Sequence, residues 1–229
     1  MGWFKFKGKN SKDFGILIAS APQRTRPARR VEEIEIPGRS GTLTVDEEAY
    51  DPYTISMECS ARGSDRLDEI VAWLNGAGEL ILSTEPDKVY EASIYNKISI
   101  SDVIYLYNGF LLQFKVQPFK HSVNAFGDTL ELTKETKVLN PGTVYSQPIV
   151  TVYGSGDITL SINGQDFPLY GVDGSITIDS EMMEVFKGDT SQNSKYGGVD
   201  FPRLEPGENE ISWIGNVEKI VIEPKWRWL

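Results

Sequence analysis

The sequence predicts a mainly β protein in two modules, an N-terminal β-domain with one α-helix over residues 1–139 and a C-terminal antiparallel β-sandwich over residues 140–229. Three observations carry this. Apolar and polar residues alternate with period two through most of the first half. One stretch has helical spacing instead, and in the second half apolar segments recur about every ten residues between Gly- and Asn-containing turns. A chain of 229 residues buries about 70% of its unfolded surface, enough for two ordinary cores.

In chain order, Trp3-Phe4-Lys5-Phe6-Lys7 alternates from the start. Ile34-Glu35-Ile36 and Leu43-Thr44-Val45 flank Gly38-Arg39-Ser40-Gly41, which predicts a hairpin with a short glycine-bounded turn. Thr54-Ile55-Ser56-Met57-Glu58-Cys59 predicts another half-buried strand. Between Ser64 and Gly78 the period changes: Leu67, Ile70, Val71 and Leu74 fall at helical spacing, Ser64 or Asp65 can cap the start, and Gly76 can end it. Glu79 to Thr84, Asp87 to Ser101 and Phe110 to Val116 are extended segments, the last stopped by Pro118. A linker is expected at Lys134 to Gly142, where Asn140-Pro141-Gly142 breaks the alternation.

Beyond it, Ile149 to Tyr153, Ile158 to Ile162 and Ser175 to Ile178 read as strands. Turns are expected between them at Gly154-Ser155-Gly156, Asn163-Gly164 and Asp173-Gly174. Gly188 to Gly198, rich in Ser, Asn and Gln, reads as a mobile surface loop. At the end, Pro206-Gly207 feeds an alternating strand through Trp213, Gly215-Asn216 makes a corner, and a last strand places Trp226 and Trp228 on one side.

The formal net charge is −10, with 17 basic and 20 acidic side chains in residues 1–139 against 6 and 13 in residues 140–229. Sequence-independent nucleic-acid binding needs a basic surface to displace counterions, so the balance has the wrong sign. Clean apolar runs such as Ile16 to Ala19 are far short of the roughly 20 residues that cross a bilayer. The start lacks the apolar core of a signal peptide, and Lys7 stands where a myristoylation signal wants Ser or Thr. A chain made in the cytosol is expected. The lone Cys59 excludes an intrachain disulfide and a Cys-rich metal site, and its alternation with Ile55 and Met57 suggests a buried strand position.

Chemistry is sparse. His121 has no acid or serine in a recognisable partner position nearby, and one histidine with one cysteine cannot build a histidine-rich zinc site. Gly38-Arg39-Ser40-Gly41 lacks the spacing and the strand-to-helix setting of a nucleophile elbow. Asp46-Glu47-Glu48 with Asp51 lacks calcium-loop spacing and reads as a solvated acidic loop. The 33 acidic residues always offer carboxylate pairs whose separation sequence does not report. No catalytic residue, metal site or cofactor is expected. Arg24, Arg26, Arg29 and Arg30, interleaved with Pro22 and Pro27, form the one basic segment. Two readings stand: a solvated loop balanced by Glu32, Glu33 and Glu35, or a charged arm that docks on a neighbouring subunit.

An ordered set of fragments resembles phage distal tail proteins over nearly the whole chain. It runs from Phe4-Lys5-Phe6-Lys7-Gly8 and Ser11-Lys12-Asp13-Phe14-Gly15-Ile16 through the basic arm to Glu35-Ile36-Pro37-Gly38-Arg39-Ser40-Gly41. Trp73-Leu74-Asn75-Gly76, Glu85-Pro86-Asp87-Lys88-Val89-Tyr90, Gln117-Pro118-Phe119 and the closing Pro224-Lys225-Trp226-Arg227 follow in order. The resemblance implies a virion structural protein without enzymatic activity, whose C-terminal sandwich is galectin-like. It would form a homohexameric ring, single or back to back, at the distal end of a long non-contractile tail. Such a ring joins the tail tube protein to a tail-associated hub or fibre protein and can carry receptor-binding proteins. DNA passes through unread, no membrane partner is implied, and the place is the virion after synthesis and assembly in the host cytoplasm. For the oligomer interface the basic positions Arg29, Arg30 and Arg39 are the candidates. The alternative is a carbohydrate-binding adhesin module that recognises the host cell wall through Trp213, Trp226 or Trp228, though the second domain lacks the histidine of a galectin signature. A weaker rival is a wall-degrading enzyme using two carboxylates.

Overall fold

The computed structural model describes residues 2–20, 22, 25–61, 66–95, 109–123 and 129–229. The chain divides into two compact units, residues 1–120 with Leu229, and residues 121–228. This boundary lies before the expected one at 139/140. The reason is that the segment read as a linker is a strand pairing inside the second unit.

The first unit comprises β1 (Phe4–Phe6), β2 (Lys9–Asn10), β3 (Ile16–Ile18), β4 (Arg29–Glu35), β5 (Thr42–Tyr50), β6 (Tyr53–Ala61), α1 (Leu67–Trp73), β7 (Gly76–Leu82), β8 (Glu85–Ile94) and, up to Lys120, β9 (Gly109–Ser122). Seven of its strands run in the order β2-β1-β7-β8-β9-β6-β3. The sheet curls until its ends meet: Gly2, just before β1, pairs with Ile18 of β3, their N–H and C=O groups exchanging hydrogen bonds of 3.3 and 2.9 Å. A side chain at Gly2 would lie 2.9 Å from Ser83 Oγ and 3.3 Å from Ile18, so glycine relieves crowding where the sheet closes. Alternation then sends one set of side chains inward, and Phe4, Phe6, Ile16, Leu80, Leu112 and Phe114 are fully buried. β9 continues through Pro118, which sequence reading took as its end. Its ladder with β6 stops at Val116, so the proline removes no bond from that pairing.

Helix α1 plugs this core with Ile70, Trp73 and Leu74, while Val71, counted on the same face from spacing, is 49% exposed. The expected cap residues Ser64 and Asp65 lie outside the described residues. Trp73 stacks on Phe14 at 4.5 Å and on Phe4 at 5.6 Å, and its indole N–H donates to the Phe6 carbonyl at 2.7 Å. Cys59 is fully buried, and desolvation pushes its thiol up to about 12. A native thiol therefore stays protonated where an unfolded one, near 8.5, ionises. Unfolding releases that proton, so the Cys59 contribution falls as pH rises from about 8.5 towards 12. At pH 8 a disulfide reagent should label Cys59 only as fast as the unit opens; immediate labelling of the native protein would contradict the burial.

The second unit comprises β10 (Leu130–Leu132), β11 (Thr136–Asn140), β12 (Ile149–Ile162), β13 (Gln165–Asp179), β14 (Glu184–Lys187), β15 (Thr190–Ser191), β16 (Gly207–Glu223) and β17 (Arg227–Trp228). The sheet order is β10-β16-β12-β13-β14-β15, with β11 also on β16. Of the three expected turns only Asn163-Gly164 is one, with φ of 53° and 79°, as a two-residue hairpin requires. Gly154 to Gly156 and Asp173-Gly174 instead lie opposite each other inside continuous strands, with Gly154 paired to Gly174 and a bulge at Gly156. On β16 the expected corner at Gly215 is likewise internal, with φ 116°. Close approach explains these glycines: a side chain at Gly154 would lie 2.2 Å from the Asn216 carbonyl, and one at Gly215 would lie 2.6 Å from that of Asp157. Three long strands thus bend at their middles, so residues before and after the bend, Val150 and Val152 with Ile158, Leu160 and Ile162, enter the same core.

The segment Gly188 to Gly198, expected as a mobile loop, is built in. Asn193 Oδ1 accepts from Val185 N at 2.6 Å, Gly197 N donates to Pro168 O at 2.9 Å, and Leu169 bridges to Tyr196. Trp226 is buried, and Trp213 and Trp228 rest partly covered against the same core, Trp228 donating to the Pro141 carbonyl at 3.2 Å. The sandwich core is therefore where the C-terminal aromatic residues go.

Candidate functional site

Strands β4 and β5 form a two-stranded sheet of their own. Pro37 and the glycines at 38 and 41, with φ of 82° and 83°, turn the chain between them, and Arg39 N donates to the Ile36 carbonyl at 3.1 Å. Register pairs Glu32 with Val45, Glu33 with Thr44, Ile34 with Leu43 and Glu35 with Thr42. Opposed residues share a face, and faces alternate along a strand. One face therefore presents Ile34, Leu43 and Val45, with Ile36 next in the alternation and Glu32 among them; the other presents Glu33, Glu35, Asp46, the threonines and Val31.

All of β4 and most of β5 are exposed, and the apolar row itself stays 38 to 44% accessible. An isolated two-stranded ribbon is marginal in water at best, and this one leaves the four large apolar side chains of that row exposed. Within the first unit the ribbon is held at its root. Asp51 N donates to the Ala28 carbonyl at 2.9 Å, Tyr50 meets Phe119 edge to face at 5.7 Å, and the Arg29 guanidinium lies 5.6 Å from the Tyr50 ring.

The arginines expected at an interface take different places. Arg29 pairs with Asp46 at 2.5 Å, and that hydrogen bond, with a second from Glu48 N, holds the Asp46 carboxyl below its usual range. Arg30 pairs with Asp51 at 2.9 Å and Glu47 at 3.7 Å. These pairs span the bulge between Arg30 and Val31, where Glu48 has φ 55°, and so shape the root of the ribbon. Arg39 sits at the tip without an ion-pair partner among the described residues, beside a shallow recess lined by Glu35, Ile36 and Thr42. Arg24 lies outside the described residues. The acidic cluster is absorbed by Arg29 and Arg30, and among the described residues no three His, Cys, Asp or Glu side chains converge as a metal site. Among the described residues no helix is long and apolar enough to cross a membrane. Sequence reading located the hairpin and its charges but missed that Ile34, Leu43 and Val45 have no core to enter; their alternation looks the same either way.

Residues 8–116, which span this ribbon and most of the barrel around it, match the family model of the phage tail protein RIFT-related domain. That stretch is similar to a phage tail domain. Among solved structures, SPP1 Dit (gp 19.1), described as a paradigm of the hub adsorption apparatus in phages that infect Gram-positive bacteria, matches over 100% of both chains, with 14% identity and a TM-score of 0.73. No curated protein matches. The barrel with its ribbon is thus the part of the chain similar to the phage tail RIFT-related domain, and both units share the β architecture of SPP1 Dit.

Proposed function

We propose that this chain is a structural protein of the siphophage tail tip, a hub component that forms a ring of six copies between the tail tube and the adsorption apparatus below. The observation that carries this is the ribbon β4–β5, whose apolar row is left for a second copy of the same chain. Contact between the ribbon of one copy and a different surface of the next is heterologous, and a closed ring ends such contacts without forming a filament. The similarity of residues 8–116 to a phage tail domain and the Dit-like fold support the place of action. In this reading the chain acts by docking rather than catalysis; its partners are itself, the tail tube protein, a hub or fibre protein, and receptor-binding proteins at the periphery. DNA passes through the lumen without specific contacts.

Of these three arginines Arg39 alone has no ion-pair partner among the described residues, so Arg39→Ala should weaken assembly more than Arg29→Ala or Arg30→Ala, all three leaving the fold intact. Sedimentation of the three variants against the parent checks the order; equal and unchanged assembly would remove Arg39 from the interface. The ring itself is tested by electron micrographs of the purified chain, alone and with tube and hub proteins, in which annuli are expected and isolated globules would refute the reading.

A further inference from the structure

We infer that the second unit carries a binding cleft for one neutral hexopyranose unit, formed where the β12–β13 turn meets the segment after Tyr196. The cleft has a volume of about 190 Å³, and Asn163, Gln165, Asp200, Phe201, Arg203 and Glu205 line it. This is below the roughly 300 Å³ at which sites for drug-sized ligands begin, and suits a single sugar ring.

Its walls are fixed by one fully buried amide. Asn209 Oδ1 accepts from Asn163 Nδ2 at 2.9 Å on one wall and from Glu205 N at 2.7 Å on the other, while Asn209 Nδ2 donates to the Glu205 and Gly207 carbonyls at 2.8 and 3.0 Å. Glu210 N donates to Asn163 Oδ1 at 2.9 Å, so the turn is held from both of its amide atoms. On the far side Phe201 stacks on Tyr196 at 4.9 Å, and the Tyr196 hydroxyl donates to the Asp200 carbonyl. The backbone that carries the polar side chains is therefore organised before any ligand arrives, which is what a small polar ligand of low intrinsic affinity needs.

The side chains themselves are left over. Among the described residues, the Asp200 and Glu205 carboxylates and the Gln165 amide have no hydrogen-bond or ion-pair partner, and the Arg203 guanidinium lies 4.9 Å from the Tyr145 ring, which it shares with Arg227. Two carboxylates and a guanidinium share one small cleft without pairing. Each matches a vicinal diol in two-point hydrogen bonding, and Phe201 adds an aromatic side chain to the lining. Two negative charges against one positive disfavour a phosphate-bearing ligand. The tryptophans first considered for stacking, Trp213, Trp226 and Trp228, lie against the core instead.

The inference stands independently of the ring, because the cleft lies within the second unit. Saturation-transfer NMR on the full chain tests it, with methyl glucoside, methyl galactoside, methyl mannoside and N-acetylglucosamine as probes and glycerol phosphate as the anionic comparison. At least one sugar should bind at about millimolar affinity. Arg203→Ala and Glu205→Gln should each weaken it by about tenfold or more, while Asp166→Asn, on the exposed face of β13, should change nothing and assembly should be unaltered in all three. Saturation of no sugar, saturation unchanged by Arg203→Ala and Glu205→Gln at an unchanged melting temperature, or binding of glycerol phosphate alone would overturn it.

Discussion

Replacing Ile34, Leu43 and Val45 together by threonine should abolish self-association while leaving the subunit folded. Threonine keeps strand propensity, so the ribbon loses its apolar row and not its conformation. Each of the three is already 39 to 44% exposed and touches no core, so the melting temperature should move by less than about 2 °C. In an assembly, covering the remaining surface of these side chains is worth about 1 kcal/mol apiece, or about 3 kcal/mol at each contact between copies. That is about a hundredfold in every pairwise step, and a closed ring multiplies the loss around its circumference. Sedimentation of parent and triple variant at one micromolar-range concentration gives the comparison. A triple variant that assembles like the parent would show that the apolar row is not the contact.

The largest effect on stability should come from Trp73→Ala. The indole is buried between Phe14 and Phe4 and donates to the Phe6 carbonyl, so truncation removes two stacking contacts, opens a cavity and leaves a buried carbonyl unpaired. Loss of a buried tryptophan costs about 3–5 kcal/mol, a large share of the roughly 5–15 kcal/mol that holds a domain together. Trp73→Phe keeps a stacking ring and loses the indole N–H, so it should cost about 1–3 kcal/mol. The second unit has its own core, built around Val150, Leu160, Phe167 and Ile220, and its unfolding should be unaffected. Calorimetry reads both at once: one transition moves in the order Ala beyond Phe, and the other stays.

The strands of both units were legible because side chains on half-buried strands alternate, and Trp3 to Lys7 or Ile55 to Cys59 carry that pattern without interruption. Glycine was the main source of error. Gly154, Gly156, Gly174 and Gly215 serve as bends inside long strands, whereas Gly164 closes a turn, and composition does not distinguish a backbone that must bend from one that must reverse. Asn140-Pro141-Gly142 misled in the same way, because the strand before it pairs with β16, a partner distant in sequence. At the candidate interface, sequence showed the arginines, whose partners Asp46 and Asp51 are near in the chain. It did not show that the alternating row opposite them faces no core, since exposure depends on where the rest of the unit lies. The cleft at Asn163 and Arg203 was invisible for a related reason: Asn209, which ties its walls, is an unremarkable polar residue in an alternating strand until its bonds to Asn163, Glu205 and Gly207 are seen.

Native mass spectrometry of the intact chain beside the Ile34→Thr, Leu43→Thr, Val45→Thr variant is the most direct test that the exposed ribbon joins copies into a ring. The parent should appear as six copies, or as two such rings, and the variant as single copies with the same charge-state signature of a folded subunit. A parent that remains a single copy under conditions where tube and hub proteins are present, or a variant that keeps the parent's assembly, would contradict the account.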